Sequence, residues 1–203
     1  LEELFSEIEA ALATSSRPFI WSYWTELDAL AHQFGIDSDE VNDHFLASDE
    51  SFSEFLDRMA GRDAAILVTA DHGLIDSCPE HTLSLEHHPP LAESLILPLC
   101  GEPRAAFCYL RAGYERQFDR YIEEYLADAF DNYGSKELLD AGWFGRGDAS
   151  LQCRQRIGDR VLVPKENWVI KDRLLQETAF ELIGVHGGVS REEMLVPLIL
   201  VEP

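Results

Sequence analysis

Residues 66 to 75 read ILVTADHGLI. An apolar run stops at Ala70, and Asp71 and His72 follow at once. In open α/β sheets, ligands bind beyond the carboxyl ends of the strands, so a carboxylate and an imidazole at that point are placed for a site. The plainer alternatives are that Asp71 caps a following turn and that His72 is a bonded structural histidine. A second stretch, YWTELDALAHQFG, sets Asp28 and His32 four residues apart. On a helix both project from one face. A carboxylate oxygen and an imidazole nitrogen form part of a shell for zinc or a similar divalent ion. An exposed pair bonded only to itself, or a His32 packed under the sheet, would read the same way. The third stretch, GVHGGVS, carries His186, and the glycines after it let the backbone approach a ligand closely. Its plain alternative is a surface-loop histidine. Together the three segments, each just outside a predicted strand, supply two aspartates and three histidines, nearly enough for two metal centres.

The elements that must position these side chains follow from periodicity. Leu4, Phe5, Ile8 and Leu12 recur at helical spacing, so residues 2–13 are expected as a helix. PFIWSYW, residues 18–24, reads as a strand entered through Pro18. A helical segment is expected over 26–34, and Asp37 with Glu40 suits a capping box for a further helix that ends at Gly61. AAILVTA is apolar on both faces, as a central strand would be. This strand–helix–strand order predicts an α/β fold with a doubly wound, mainly parallel sheet. The middle differs: two short strands around a Gly-Glu-Pro turn, an amphipathic helix over 114–130 with Phe118, Ile122, Tyr125, Leu126 and Ala129 on one side, a glycine-rich loop and a hairpin in RVLVPKENWVI. Residues from about 93 to 170 are therefore expected as an α+β insertion. Near the end, Ser190 and Glu193 form a second capping-box pattern before a short strand whose Pro197 favours an edge.

Composition narrows the partners. With 38 acidic and 16 basic residues the chain carries a formal charge of −22, which argues against binding a nucleic-acid polymer or an anionic membrane. An anionic substrate would need a local positive centre, which divalent ions would supply. No apolar run approaches about 18 residues, so no transmembrane helix is expected. The four cysteines, Cys78, Cys100, Cys108 and Cys153, contain no C-x-x-C pair. Reduced thiols in a cytoplasmic protein are the expectation, with two disulfides formally open. The chain opens on Leu1 rather than Met, so its true start and any targeting information are not seen. His44, His81, His87 and His88 are expected as surface, capping or solvated loop residues, and the four tryptophans as core.

TADHG, the upstream Y-x-x-x-L-D-x-x-A-H-x-x-G and the downstream HGG-x-S-x-E-E-M-x-V-P-L, taken in this order, resemble the type I phosphodiesterase/nucleotide pyrophosphatase family of the alkaline phosphatase superfamily. The resemblance covers roughly residues 19–75 and 183–200. Leu27 and Ala31 stand where that family often has Pro and Gly. The resemblance implies two zinc ions, one held by Asp28, His32 and His186 and the other by Asp71 and His72. Two cations about 4 Å apart can stabilise the attacking and leaving oxygens of an in-line phosphoryl displacement. It also implies a threonine or serine nucleophile upstream of the first motif. Thr14, Ser15, Ser16 and Ser22 lack the strand–turn–helix context for that role, so no catalytic residue is assigned. The expectation is thus the C-terminal portion, over 1–203, of one phosphodiesterase-like domain whose sheet is incomplete at its N-terminal side. By itself it would be inactive. Its substrate would be a small phosphate ester of the nucleotide type, and an open sheet edge would favour a homodimer. The alternatives are a phosphomonoesterase, phosphonate hydrolase or phosphomutase of the same superfamily, or a catalytically silent metal-binding or interaction module.

Overall fold

A computed structural model describes residues 1–172 and 181–203. In chain order its helices and strands are α1 (Glu2–Leu12), α2 (Glu26–Phe34), α3 (Asp39–Met59), β1 (Ile66–Thr69), β2 (Ile75–Asp76), β3 (Thr82–Ser84), α4 (Pro89–Glu93), β4 (Cys100–Glu102), β5 (Ala105–Cys108), α5 (Glu115–Tyr121), β6 (Phe130–Gly134), α6 (Ser135–Asp140), α7 (Leu151–Arg156), β7 (Arg160–Pro164), β8 (Val169–Lys171), β9 (Gly184–Val185), α8 (Arg191–Met194) and β10 (Leu198–Val201). The chain divides into two compact units, one of residues 1–71 with 196–203 and the other of residues 72–195. Among the described residues, no helix is long and apolar enough to cross a membrane.

In the first unit, α1 buries Phe5 against Phe55 of α3, ring on ring at 4.6 Å, with Met59 completing the buried cluster. Ile8, Leu12, Phe52 and Ile66 pack around it, so the apolar stripe of α1 does what its spacing implies. Arg58 of α3 reaches back to Glu9 of α1 at 2.8 Å. Ser38, rather than Asp37, caps α3 by accepting from the Val41 amide at 3.3 Å. β1 pairs antiparallel with β10, Ile66 opposite Val201 and Thr69 opposite Leu198.

The second unit contains a four-stranded antiparallel sheet ordered β4-β5-β7-β6, a parallel pair β3–β8 and an antiparallel pair β2–β9. Its main core gathers Leu83, Leu91, Cys108, Phe118, Phe130 and Leu162 with their neighbours.

Several local expectations are corrected. Residues 18–24 form no strand: the segment has no regular secondary structure, leaving Phe19 90% and Trp21 78% exposed. A strand is defined by a hydrogen-bonded neighbour, and none of the described residues supplies one there. Among the described residues β1 has β10 as its one neighbour, and Leu67 on it is exposed. Among the described residues the β3–β8 pairing is parallel and the other strand pairings are antiparallel. Trp24 and Trp143 are also exposed, whereas Trp168 packs on the main core. The expected helix over 114–130 runs as α5 and then widens into a π turn over Ile122–Leu126. The extra residue in a π turn rotates the following side chains, so Tyr125 points outward at 68% exposure while Ile122 and Leu126 stay buried. RVLVPKENWVI is not a hairpin either. Glu166 turns the chain in a left-handed conformation (φ 44°), the Lys165 amide bonds to Ala129, and β7 and β8 enter different sheets.

Candidate functional site

The expected site residues fall in both units, and each unit is described by itself. In the first, α2 starts with an acidic turn, which suits the positive end of a helix. Asp28 and His32 lie on successive turns, Oδ2 to Nε2 at 3.3 Å. The other oxygen, Asp28 Oδ1, is buried and has no hydrogen-bond partner among the described residues. A buried carboxylate oxygen without a donor is costly unless something positive meets it, so this donor set fits a cation. Asp71 follows the β1 tip, and its Oδ2 accepts from the Tyr23 hydroxyl at 3.0 Å. The Tyr23 phenol is held above its usual range, first by that hydrogen bond and by the Asp71 charge, with Asp28 adding a smaller effect in the same direction. Tyr23 thus belongs with the acidic residues of this unit. It is the first residue of the Y-x-x-x-L-D pattern, but tyrosine spacing alone gives no sign of which carboxylate it meets.

In the second unit, the rings of His72 and His186 stack with centroids 3.7 Å apart and planes within 16°. His72 Nδ1 lies 3.1 Å from the Gly73 carbonyl oxygen. A carbonyl only accepts, so the proton belongs on Nδ1 and the lone pair on Nε2, the tautomer a metal ligand needs. Three glycines keep the two histidine loops close. A Cβ on Gly73 would fall 1.9 Å from the Glu192 carbonyl oxygen, and one on Gly188 would fall 2.6 Å from Glu193 Oε2. At Gly187 the backbone is left-handed (φ +99°), and a Cβ would meet Glu102 at 2.7 Å. Behind them, Ser190 and Glu193 form the expected capping box at α8. The Glu193 side chain does more than cap. It pairs with Arg104, both side chains being 1% exposed. Burial opposes the charge of Glu193, but the Arg104 hydrogen bonds and charge, the Gly188 amide and Ser190 outweigh it and hold the carboxyl below its usual range. Nothing in the spacing of the middle segment points to Arg104.

The remaining histidines have structural partners. Trp24 Nε1 donates to His44 Nε2 at 3.1 Å, His88 bonds to the Tyr121 hydroxyl at 2.8 Å, and His81 bonds to Asn167 and stacks on Trp168. His87 alone matches a solvated loop histidine, facing Glu86 at 3.9 Å. Lys165 is engaged by Asp131 at 3.1 Å.

The type I phosphodiesterase/nucleotide pyrophosphatase family model matches residues 2–188. No curated protein sequence matches the chain. Among solved structures, murine ectonucleotide pyrophosphatase/phosphodiesterase 5 is similar with a TM-score of 0.72 and 18% identity, over 100% of this chain and 52% of its own. An inactive variant of that murine protein in complex with AMP is similar with a TM-score of 0.69 and 19% identity, over 97% of this chain and 51% of its own. Phosphonoacetate hydrolase from Sinorhizobium meliloti 1021, in complex with phosphonoformate, is similar with a TM-score of 0.58 and 25% identity, over 85% of this chain and 43% of its own. The chain therefore spans about half the length of these solved relatives. The likeness shows an alkaline phosphatase-type α/β fold, and the family is one of metal-dependent hydrolases. With its family model matched over nearly its whole length, the chain belongs to the type I phosphodiesterase/nucleotide pyrophosphatase family.

Proposed function

We propose that this chain carries the metal-binding part of a phosphohydrolase that cleaves phosphodiester or pyrophosphate bonds in small nucleotide-type substrates. Asp28, His32, Asp71, His72 and His186 are the ligands of two divalent ions, zinc in the first instance. The observation that carries the reading is the His72–His186 pair, two imidazoles from distant parts of the sequence held ring to ring at 3.7 Å. The unpartnered Asp28 oxygen supports it from the other unit. Bound there, two divalent ions would offset the charge that builds on the attacking and leaving oxygens of phosphoryl transfer. The chain's own residues hold the donors ready. Tyr23 orients the Asp71 carboxylate, the Gly73 carbonyl fixes the His72 tautomer, and α2 presents Asp28 and His32 together. No hydroxyl of residues 1–203 is assigned the nucleophile's role, so this stretch alone should bind metal and turn over a nitrophenyl phosphodiester poorly. The AMP complex of the murine relative favours a nucleotide-type substrate.

Metal analysis of the purified chain tests the ligands. Two zinc ions per chain are expected, with loss of bound metal in His32→Ala and His186→Ala. Unchanged zinc in both variants sinks the assignment. A phosphonate substrate is the second reading, favoured by the 25% identity with the phosphonoacetate hydrolase. Assaying the full-length protein on a nucleotide diester and on phosphonoacetate separates the two.

A further inference from the structure

We propose that the buried Arg104–Glu193 ion pair is a positioning device for the two histidines of the second unit, locking the backbone behind both and thereby setting metal affinity. The proposal rests on the reading of His72 and His186 as ligands.

One residue, Glu193, reaches both histidine loops. Its main-chain oxygen accepts from the amide of Gly73, the residue after His72, at 2.8 Å. Its carboxylate Oε1 accepts from the amide of Gly188, two residues after His186, at 2.8 Å. The same carboxylate takes the Arg104 fork, Nε to Oε1 at 3.0 Å and Nη2 to Oε2 at 2.8 Å, while the Ser190 amide approaches Oε2 at 3.4 Å. Arg104 Nη1 donates to the Trp168 carbonyl, so the guanidinium is itself held by the chain just before β8. The glycines leave no slack: side chains at Gly73 or Gly188 would collide with Glu192 or Glu193.

Stability alone does not account for such a pair. A buried ion pair seldom outperforms apolar residues of the same volume, because desolvating two charges offsets their attraction. What it offers is geometry, since the bidentate fork admits one relative placement of the two partners. Here that placement fixes Glu193, and Glu193 fixes the chain behind His72 and His186. Arg104 sits in the turn between β4 and β5, so the middle of the sequence, which carries no expected ligand of its own, contributes the anchor.

The test uses the whole chain with Glu193→Gln, which keeps the shape and removes the charge, and Arg104→Lys, which keeps the charge and removes the fork. Circular dichroism identifies which variants fold; Arg104→Lys carries the test if Glu193→Gln does not. Two readouts follow. Amide exchange at Gly73 and Gly188 in the metal-free protein should speed up in the variants. Zinc affinity, measured by chelator competition, should fall roughly 10- to 100-fold, the range seen when groups that orient metal ligands are removed. The visible spectrum of the cobalt-substituted protein should change in parallel. A folded variant with unchanged exchange at both glycines, or with wild-type zinc affinity, overturns the proposal. A wild-type chain that takes up no zinc overturns the ligand reading and the affinity half with it. The exchange measurement then decides the locking half by itself.

Discussion

The hydroxyl of Tyr23 donates to Asp71 Oδ2 at 3.0 Å, joining the irregular segment before α2 to the tip of β1. The segment is unpaired as a strand, so this side-chain bond is one of the contacts that orients it. Tyr23 is more than half exposed, so its hydrogen bond replaces one to water and adds little to folding. Tyr23→Phe should therefore leave thermal stability almost unchanged. With Asp71 as a ligand, zinc affinity should drop about tenfold, because the carboxylate loses its orienting donor. Chelator competition on the two proteins measures it, and equal affinities would remove Tyr23 from the site.

Two glycines separate crowding from backbone strain. At Gly73 an added Cβ would meet a main-chain oxygen at 1.9 Å, so Gly73→Ala must move one of the two loops. Gly61 has a left-handed backbone (φ +77°) but open space around it. Gly61→Ala should cost about 1–2 kcal/mol, the ordinary strain of an L-residue in that conformation. Gly73→Ala should cost more than that and should also weaken metal binding, which Gly61→Ala should not. Urea denaturation with zinc titration of both variants distinguishes them.

Acid should destabilise the metal-free protein through identifiable carboxylates. Glu193 is held below its ordinary value of 4.5 and Asp119 below 3.8, the latter chiefly by its two-pronged bond to Arg160 at 2.9 Å. Because both are depressed in the folded state, their contribution is fully present above those ordinary values. It is lost as the pH falls through the lower, folded ones. The carboxylate contribution should be flat from neutrality to about pH 5 and fall below it, while His88, held below its ordinary 6.5 chiefly by burial, adds a loss that begins as the pH falls through 6.5. Glu193→Gln should flatten part of that acid limb. A wild-type curve with no acid limb contradicts the assignment.

The four thiols should react unequally. Cys108 is fully buried on β5, and burial pushes its thiol well above the usual range, so little thiolate forms. Cys100 is exposed, while Cys78 and Cys153 are half-buried, and all four are free. A thiol reagent should label Cys100 first and Cys108 only on unfolding, with mass spectrometry locating the label. Rapid modification of Cys108 in the native protein would mean that the core around Phe118 and Leu162 opens readily.

Local chemistry was legible in the sequence wherever it depends on near neighbours. Spacing of apolar residues gave α1 and its buried Phe5, the four-residue interval gave the Asp28–His32 pair, and the Ser190–Glu193 pattern gave the cap of α8. These features need only a helix period or a cap, which a few adjacent residues fix. The strand expected at 18–24 and the hairpin expected at 160–170 failed because pairing is a property of two segments, and an apolar extended run does not name its neighbour. The stacking of His72 on His186, the Tyr23–Asp71 bond and the insertion of Arg104 behind Glu193 all join residues far apart along the chain. So the sequence by itself determined which donor types are present and which pair shares a helix face. Only the tertiary structure decided which of them meet, because long-range contacts are set by how packed elements close on one another, and no local pattern encodes that closure.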